Sequence, residues 1–143
     1  MSKRKGTRYE RELFHMFWEN DWVALRTAGS GSTPLPAPDL MVSGMVIAPL
    51  EKKSRRTLAI ECKAIKSNRK YFPKKEIDEL NLFANKFGAD PYIAIRFDRI
   101  GWFFIHTKNI GFAKTQHYIS LALAQKEGLK FEEIIGTYKQ LKL

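Results

Sequence analysis

The chain has 143 residues, 44% of them hydrophobic, with ten Phe, five Tyr and three Trp. That length fits one domain, residues 1–143, and the composition provides a real core and argues against disorder. Cys62 is the lone cysteine, which excludes an internal disulfide or a Cys-based zinc site.

Charge narrows the reading further. Twenty-five Lys and Arg against fifteen Asp and Glu give a net charge of +10. A surplus of that size in a small domain favours a polyanion, and nucleic acid is the commonest one. A solvated, lysine-rich surface of the kind found in proteins from hot environments is the plain alternative, but it expects acidic residues to match. No apolar run approaches the roughly 20 residues of a membrane span, and no apolar signal stretch follows the basic start. A protein of the cell interior is expected, cytoplasmic and nucleoid-associated, with no membrane partner.

After a basic arm (residues 1–6), Gly6-Thr7 opens a predicted helix to about Asn20 or Asp21, with Thr7 and Glu10 spaced as a capping box. Trp22 to Arg26 reads as a strand. A loop from Thr27 to Thr33 follows, and its hydroxyls, Ser30 and Ser32 among them, suit contact with a phosphate as well as a simple connector. Prolines 34, 36 and 38 stiffen the approach to Asp39. Leu40 to Val42 reads as a second strand, Ser43-Gly44 as a turn, and Met45 to Ala48 as a continuation of the ribbon. Lys52, Lys53, Arg55 and Arg56 make a basic turn into a third strand ending at Lys63.

The next stretch is basic and aromatic, with Lys66, Arg69, Lys70, Lys74 and Lys75 around Tyr71 and Phe72. A second helix runs from about Pro73 to Phe87 on a stripe of Ile77, Leu80, Ala84 and Phe87, and Gly88 stops it. Tyr92 to Phe97 and Trp102 to Ile105 form a strand pair. Beyond His106 the pattern weakens into a C-terminal extension (106–143), with a short strand near His117 to Ser120 and a last helix from about Phe131 to Leu141. This order implies an α/β fold, a central mixed sheet flanked by helices with a helical tail.

Side chains of a strand alternate faces, so Glu61 and Lys63 point one way and Leu58, Ile60 and Cys62 the other. If this strand pairs with the one that Asp39 opens, two carboxylates and an ammonium share one patch beside an apolar sheet. Carboxylate oxygens suit Mg²⁺, and a hard divalent ion is the usual requirement of phosphodiester hydrolysis. A lone Glu-x-Lys is more often a solvent-facing strip. Joined to Pro38-Asp39 on a basic chain, it points to a nuclease. Cys62 reads as a small core residue whose backbone carbonyl lies within reach of a metal held by Glu61. Glu10 stays open, since it lines up with the apolar stripe Leu13, Phe14, Phe17, yet a capping box explains it without chemistry. The three histidines share no ligand spacing, and no phosphate-binding Gly-rich loop precedes a helix.

Five segments in order carry a specific resemblance: Lys5 to Leu13, Arg26 to Ser32, Pro38-Asp39, Ala59 to Lys63, and Phe83 to Gly88. Together they resemble the archaeal Holliday-junction resolvases of the PD-(D/E)xK, restriction-endonuclease-like superfamily. The resemblance covers Gly6 to about Ile105 and, more loosely, Gly128 to Ile135. It implies that Glu10, Asp39 and Glu61 are catalytic carboxylates, that Lys63 is the catalytic lysine, and that Ser30 is the serine of the mobile loop. Arg11 corresponds to a basic residue behind the site. It also implies a homodimer whose two sites nick opposing strands of a four-way DNA junction.

On that reading Asp39, Glu61, Glu10 and the Cys62 carbonyl hold one or two Mg²⁺ ions, with Mn²⁺ able to substitute. Lys3, Arg4, Lys5, Arg8, Arg11, Ser30, Ser32, Lys52, Lys53, Arg55, Arg56, Lys66, Arg69 and Lys70 contact the DNA backbone. A sliding clamp or a branch-migration helicase is a possible partner. Aromatic residues on both faces of Trp102 to Ile105 suggest a covered partner surface, or else a central strand. Two departures stand out: Met45 to Arg56 is longer than the family norm, and Ile77 replaces a Gln that some relatives place near the site. The competing readings are another nuclease on the same fold, cutting flaps or nicking duplex, and a junction-binding protein without activity.

Overall fold

The computed structural model describes residues 3–27, 35–47 and 53–136. The elements in order are α1 (Lys3–Trp18), β1 (Val23–Arg26), β2 (Leu40–Ile47), β3 (Lys53–Ile65), β4 (Arg69–Pro73), α2 (Lys74–Phe87), β5 (Asp90–Phe97) and β6 (Gly101–His106). They continue with β7 (Gly111–Ala113), β8 (Gln116–Ser120), α3 (Leu121–Glu127) and α4 (Phe131–Ile134). A five-stranded sheet runs β1-β2-β3-β5-β6, and a second sheet runs β4-β8-β7. Only β3 and β5 pair in parallel, so the central sheet is mixed, as expected.

Alternation along β3 divides the core in two. Leu58, Ile60 and Cys62 face α1 and α4, packed with Leu13, Phe17, Phe104 and Phe131. Ala59 faces the other way, into a layer of Ile77, Leu80 and Ala84 from α2, Phe72 from β4, Ile119 from β8 and Ala124 from α3. Leu13 and Phe17 of α1 and Ile77, Leu80 and Ala84 of α2 follow the 3.6-residue period that the sequence shows. Phe87, expected on the α2 stripe, is exposed at the end of the helix. Gly88 ends α2 in the left-handed conformation (φ 84°), which glycine adopts without a Cβ penalty.

Several elements differ from expectation. α1 begins at Lys3, so residues 3–6 are helical and Thr7 lies inside the helix, which removes the capping box as an explanation of Glu10. Ser43-Gly44 does not turn. β2 runs straight through, with Ser43 opposite Thr57 and Gly44 opposite Arg56. Gly44 makes room for the Trp22 indole, because a Cβ there would stand 2.3 Å from the ring. Lys53, Arg55 and Arg56 lie within β3 rather than in a turn, since β2 extends far enough to pair with them.

The last helix is one turn within the described residues, and residues 137–143 lie outside them. β4, β7 and α3 were not foreseen. They are short, and tertiary packing rather than periodicity holds them. The segment after His106 completes both core layers through Ile119, Ala124, Phe131, Ile134 and Ile135. Trp102, Phe103, Phe104 and Ile105 are all buried by the chain itself, although β6 is a sheet edge, so they leave no apolar face for a partner. Phe72 is core and Tyr71 is exposed. Among the described residues no helix is long and apolar enough to cross a membrane.

Candidate active site

β2 begins at Leu40, opposite Ile60, while β3 continues to Ile65 with only β5 beside it. The β3 edge facing β2 is therefore open from Glu61 onward. Even-numbered residues of β3 turn their N–H and C=O toward that edge, and odd-numbered ones turn theirs to β5, as the bond from Asp98 N to Ile65 O shows. Asp39, one residue before β2, falls opposite Glu61. Its Oδ2 accepts a hydrogen bond from Cys62 N at 2.8 Å. The Cys62 carbonyl points to the same edge, while its thiol is buried in the α1 layer. Thr27 fixes the approach, since its hydroxyl donates to Pro38 O (2.6 Å) and its N–H to Asp39 O (3.1 Å).

The Asp39 and Glu61 carboxyls stand close enough to shift each other's titration. Burial, with the Asp39 charge beside it, pushes Glu61 up to about 9, so at neutral pH it keeps its proton. Asp39 is also raised by burial, against the lowering pull of the Cys62 N–H and of Lys63. Glu10 projects from α1 and meets Arg26 at the end of β1, Oε1 to Nη2 3.6 Å. Burial and the Asp39 charge raise it, and Arg26 opposes them.

Lys63 projects on the same face as Glu61 but is drawn aside, its Nζ 3.0 Å from Glu76 in the first turn of α2. Burial lowers its pKa, yet Glu76, Glu61 and Asp39 together raise it. A cleft of about 160 Å³ lies between Pro36 to Pro38 and α2, with Glu61, Glu76 and Glu79 in its wall.

Of the residues singled out in the sequence, Asp39, Glu61, Lys63 and the Cys62 backbone meet at one edge, and Glu10 stands next to them. Ser30, Ser32 and Lys52 lie outside the described residues, as do the side chains of Lys3, Arg4 and Lys5. Arg8 and Arg11 are exposed on α1. Lys66, Arg69 and Lys70 follow the carboxylate end of β3, while Lys53, Arg55 and Arg56 lie at its other end. Arg56 donates through Nη1 to the Ile134 carbonyl, which ties it to α4. Glu12, on the polar side of α1, accepts from Trp102 Nε1 (3.1 Å) and pairs with Arg96 (3.4 Å).

Ile77 is core. Its neighbour Glu76 meets Lys63, and sequence reasoning missed it. The available signal was its position beside the buried stripe in the first turn of α2.

No group of three or more His, Cys, Asp or Glu side chains among the described residues is ready-made to hold a metal, with Glu10 engaged by Arg26. The donor set nevertheless fits a hard divalent ion. Two desolvated carboxyls lie at the open edge, one of them holding a proton that such an ion would replace, and a backbone carbonyl points to the same edge. A strand-opening Asp across from Glu-x-Lys, on a mixed sheet between helices, defines a restriction-endonuclease-like nuclease.

Comparison with known proteins identifies the branch. The family described as archaeal Holliday junction resolvase (Hjc) matches residues 1–143. The crossover junction endodeoxyribonuclease Hjc of Archaeoglobus fulgidus is 33% identical over 141 residues, covering 94% of this chain and 97% of that one. Its namesake from Methanocaldococcus jannaschii is 28% identical over 144 residues, covering 98% and 93%. A solved structure of the A. fulgidus resolvase superposes with a TM-score of 0.78 at 30% identity, covering 92% of this chain and all of that one. The chain belongs to the archaeal Holliday junction resolvase family, and it is an endodeoxyribonuclease.

Proposed function

We propose that this chain, as a single nuclease domain, resolves four-way DNA junctions by paired nicks on opposing strands through Mg²⁺-dependent phosphodiester hydrolysis. The observation that carries the reading is the desolvated Asp39–Glu61 pair, pinned by the Cys62 N–H and flanked by Lys63. Asp39, Glu61 and the Cys62 carbonyl would hold one or two Mg²⁺ ions, or Mn²⁺ in their place, joined by Glu10 once it leaves Arg26. Such an ion supplies Lewis-acid stabilisation of charge on the scissile phosphate and a more acidic water.

Lys63, released from Glu76, orients the attacking water and neutralises charge that develops on the phosphate. Ser30 supports the phosphate from the loop that precedes Asp39. The exposed cations Arg8, Arg11, Lys53, Arg55, Lys66 and Arg69, with Lys70, hold the backbone without reading bases. The remaining basic and hydroxyl residues of that set (Lys3, Arg4, Lys5, Ser32, Lys52 and Arg56) extend the same contact. One chain carries one such carboxylate set among its described residues, so two opposed nicks need two copies, and a homodimer is the simplest arrangement. Action on nucleoid DNA, with a sliding clamp or branch-migration helicase as a further partner, is consistent with that chemistry.

A strand-by-strand cleavage map on an end-labelled junction, with flap, linear duplex and single-stranded controls, tests the reading. Paired nicks confined to opposing strands of the junction are expected. Cutting of flap or duplex alone would transfer the same residues to another nuclease class.

A further inference from the structure

The second sheet carries a surface that the hydrolytic site leaves unused. On β4, Phe72 turns into the core beside Ile119 of β8. Arg69 and Tyr71 therefore turn outward, and the register sets Tyr71 opposite Tyr118, which is itself opposite Gly111 of β7. The two tyrosine rings lie 6.3 Å apart. The Arg69 guanidinium stands 4.7 Å from the Tyr118 ring centre and 5.9 Å from that of Tyr71, and donates to the Tyr71 hydroxyl at 3.4 Å. Tyr118 has this position because residue 111 is glycine, since a Cβ there would come within 2.3 Å of its ring. Tyr71 is 49% exposed, and Arg69 is exposed as well.

The strand that carries this platform also reaches the candidate active site, from its other face. Lys70, between Arg69 and Tyr71, turns the other way and lines a cleft of about 390 Å³ with Lys63, Ala64 and Ile65. Flat π surfaces with a guanidinium among them match the base face and the phosphate of a nucleotide, a face to stack and a charge to neutralise. Duplex DNA keeps its base faces stacked and offers only edges and backbone. A base face becomes free where the stack is interrupted, as at the crossover of an open four-way junction, whose bases stay paired.

We propose that Tyr71, Arg69 and Tyr118 form a stacking platform for an unstacked base at the crossover of the bound junction. The inference rests on the junction-cleavage reading, and the test separates the two. Junctions carrying the fluorescent base 2-aminopurine at the crossover or within an arm are titrated with the protein in EDTA, where no cleavage is needed. Quenching at the crossover, but not in the arm, is expected. Tyr71→Ala, a change at an exposed position, should abolish that quenching and weaken junction binding about tenfold. Tyr71→Phe, which retains the ring, should restore both quenching and affinity.

Unchanged quenching in Tyr71→Ala overturns the platform, as does a Tyr71→Phe variant no better than Ala. Equal quenching from the arm position would mean general backbone binding and also overturns it. Tyr71-dependent quenching without cleavage of any junction would sink the cleavage reading alone. Cleavage without Tyr71-dependent quenching would sink the platform alone.

Discussion

The two ends of β3 obey the same alternation and the same pairing rules, yet they do different things. At Glu61 and Lys63, α2 covers the face and Asp39 closes the edge, so charged groups lose water and perturb one another. At Lys53 and Arg55, about 26 Å away by strand rise, the side chains remain in solvent, with Arg55 reaching the Ser43 hydroxyl at 3.2 Å. Chemistry concentrates where burial makes a charge costly, because there a partner, a proton or a cation must compensate it. The exposed end offers only screened, long-range attraction to phosphates.

Breaking the buried end should have the largest consequence. Asp39→Asn removes the carboxylate that the Cys62 N–H anchors, and cleavage should fall to the uncatalysed background while junction affinity is kept. Gel-shift and cleavage assays on one preparation check this, and retained cutting would refute the metal-holding role. Glu76→Gln acts one step out, by freeing Lys63 from its ion pair. Cleavage near neutral pH should be kept, since Lys63 acts once it is released from Glu76. The Lys63 ammonium also loses its strongest stabilising neighbour, so the alkaline limb of the pH–rate profile should move to lower pH.

A smaller effect sharpens the contrast through stability. Glu61 has an ordinary value of 4.5 and a folded value of about 9. Between them the folded chain holds a proton that the unfolded chain has lost. Metal-free stability should therefore fall as pH rises through that window, by at most about 1.4 kcal/mol per pH unit. Glu61→Gln should flatten the curve and raise the melting temperature at pH 8 in EDTA, while Mg²⁺ should stabilise the unaltered chain and not the variant. A wild-type melting temperature that is level from pH 5 to 9 would contradict the buried proton.

The smallest effect belongs to the exposed end. Arg55→Ala should weaken junction binding only a few-fold and lower the slope of log affinity against log salt by about 1, leaving the saturated cleavage rate alone. A loss of rate at saturation would mean that this end enters the chemistry.

Much of this was legible in the residues. Glu61, Lys63 and Cys62 follow from the period of two. The α2 stripe follows from the period of 3.6, its stop from Gly88, and the strand-opening role of Asp39 from the prolines before it. Glu10 was ambiguous because its spacing from Thr7 mimics a capping box. Only the earlier start of α1 removed that reading, since Lys3 to Gly6 give no strong local signal. The turn expected at Ser43-Gly44 was wrong because a glycine in a strand and a glycine in a turn look alike until the neighbour is known, and here the neighbour is the Trp22 indole.

The sequence by itself determined which side chains share a face, where helices stop, and that carboxylates and a lysine would meet on a basic α/β chain. Those properties depend on neighbours within a few residues, whose geometry the backbone period dictates. The tertiary structure alone decided what covers each face and what meets each charge. It turned Glu10 to Arg26 and Lys63 to Glu76, tied Arg56 to α4, buried the β6 aromatics and laid Tyr118 over Gly111. Those outcomes depend on residues distant in the chain, whose approach is set by how the layers pack, and no local period encodes that.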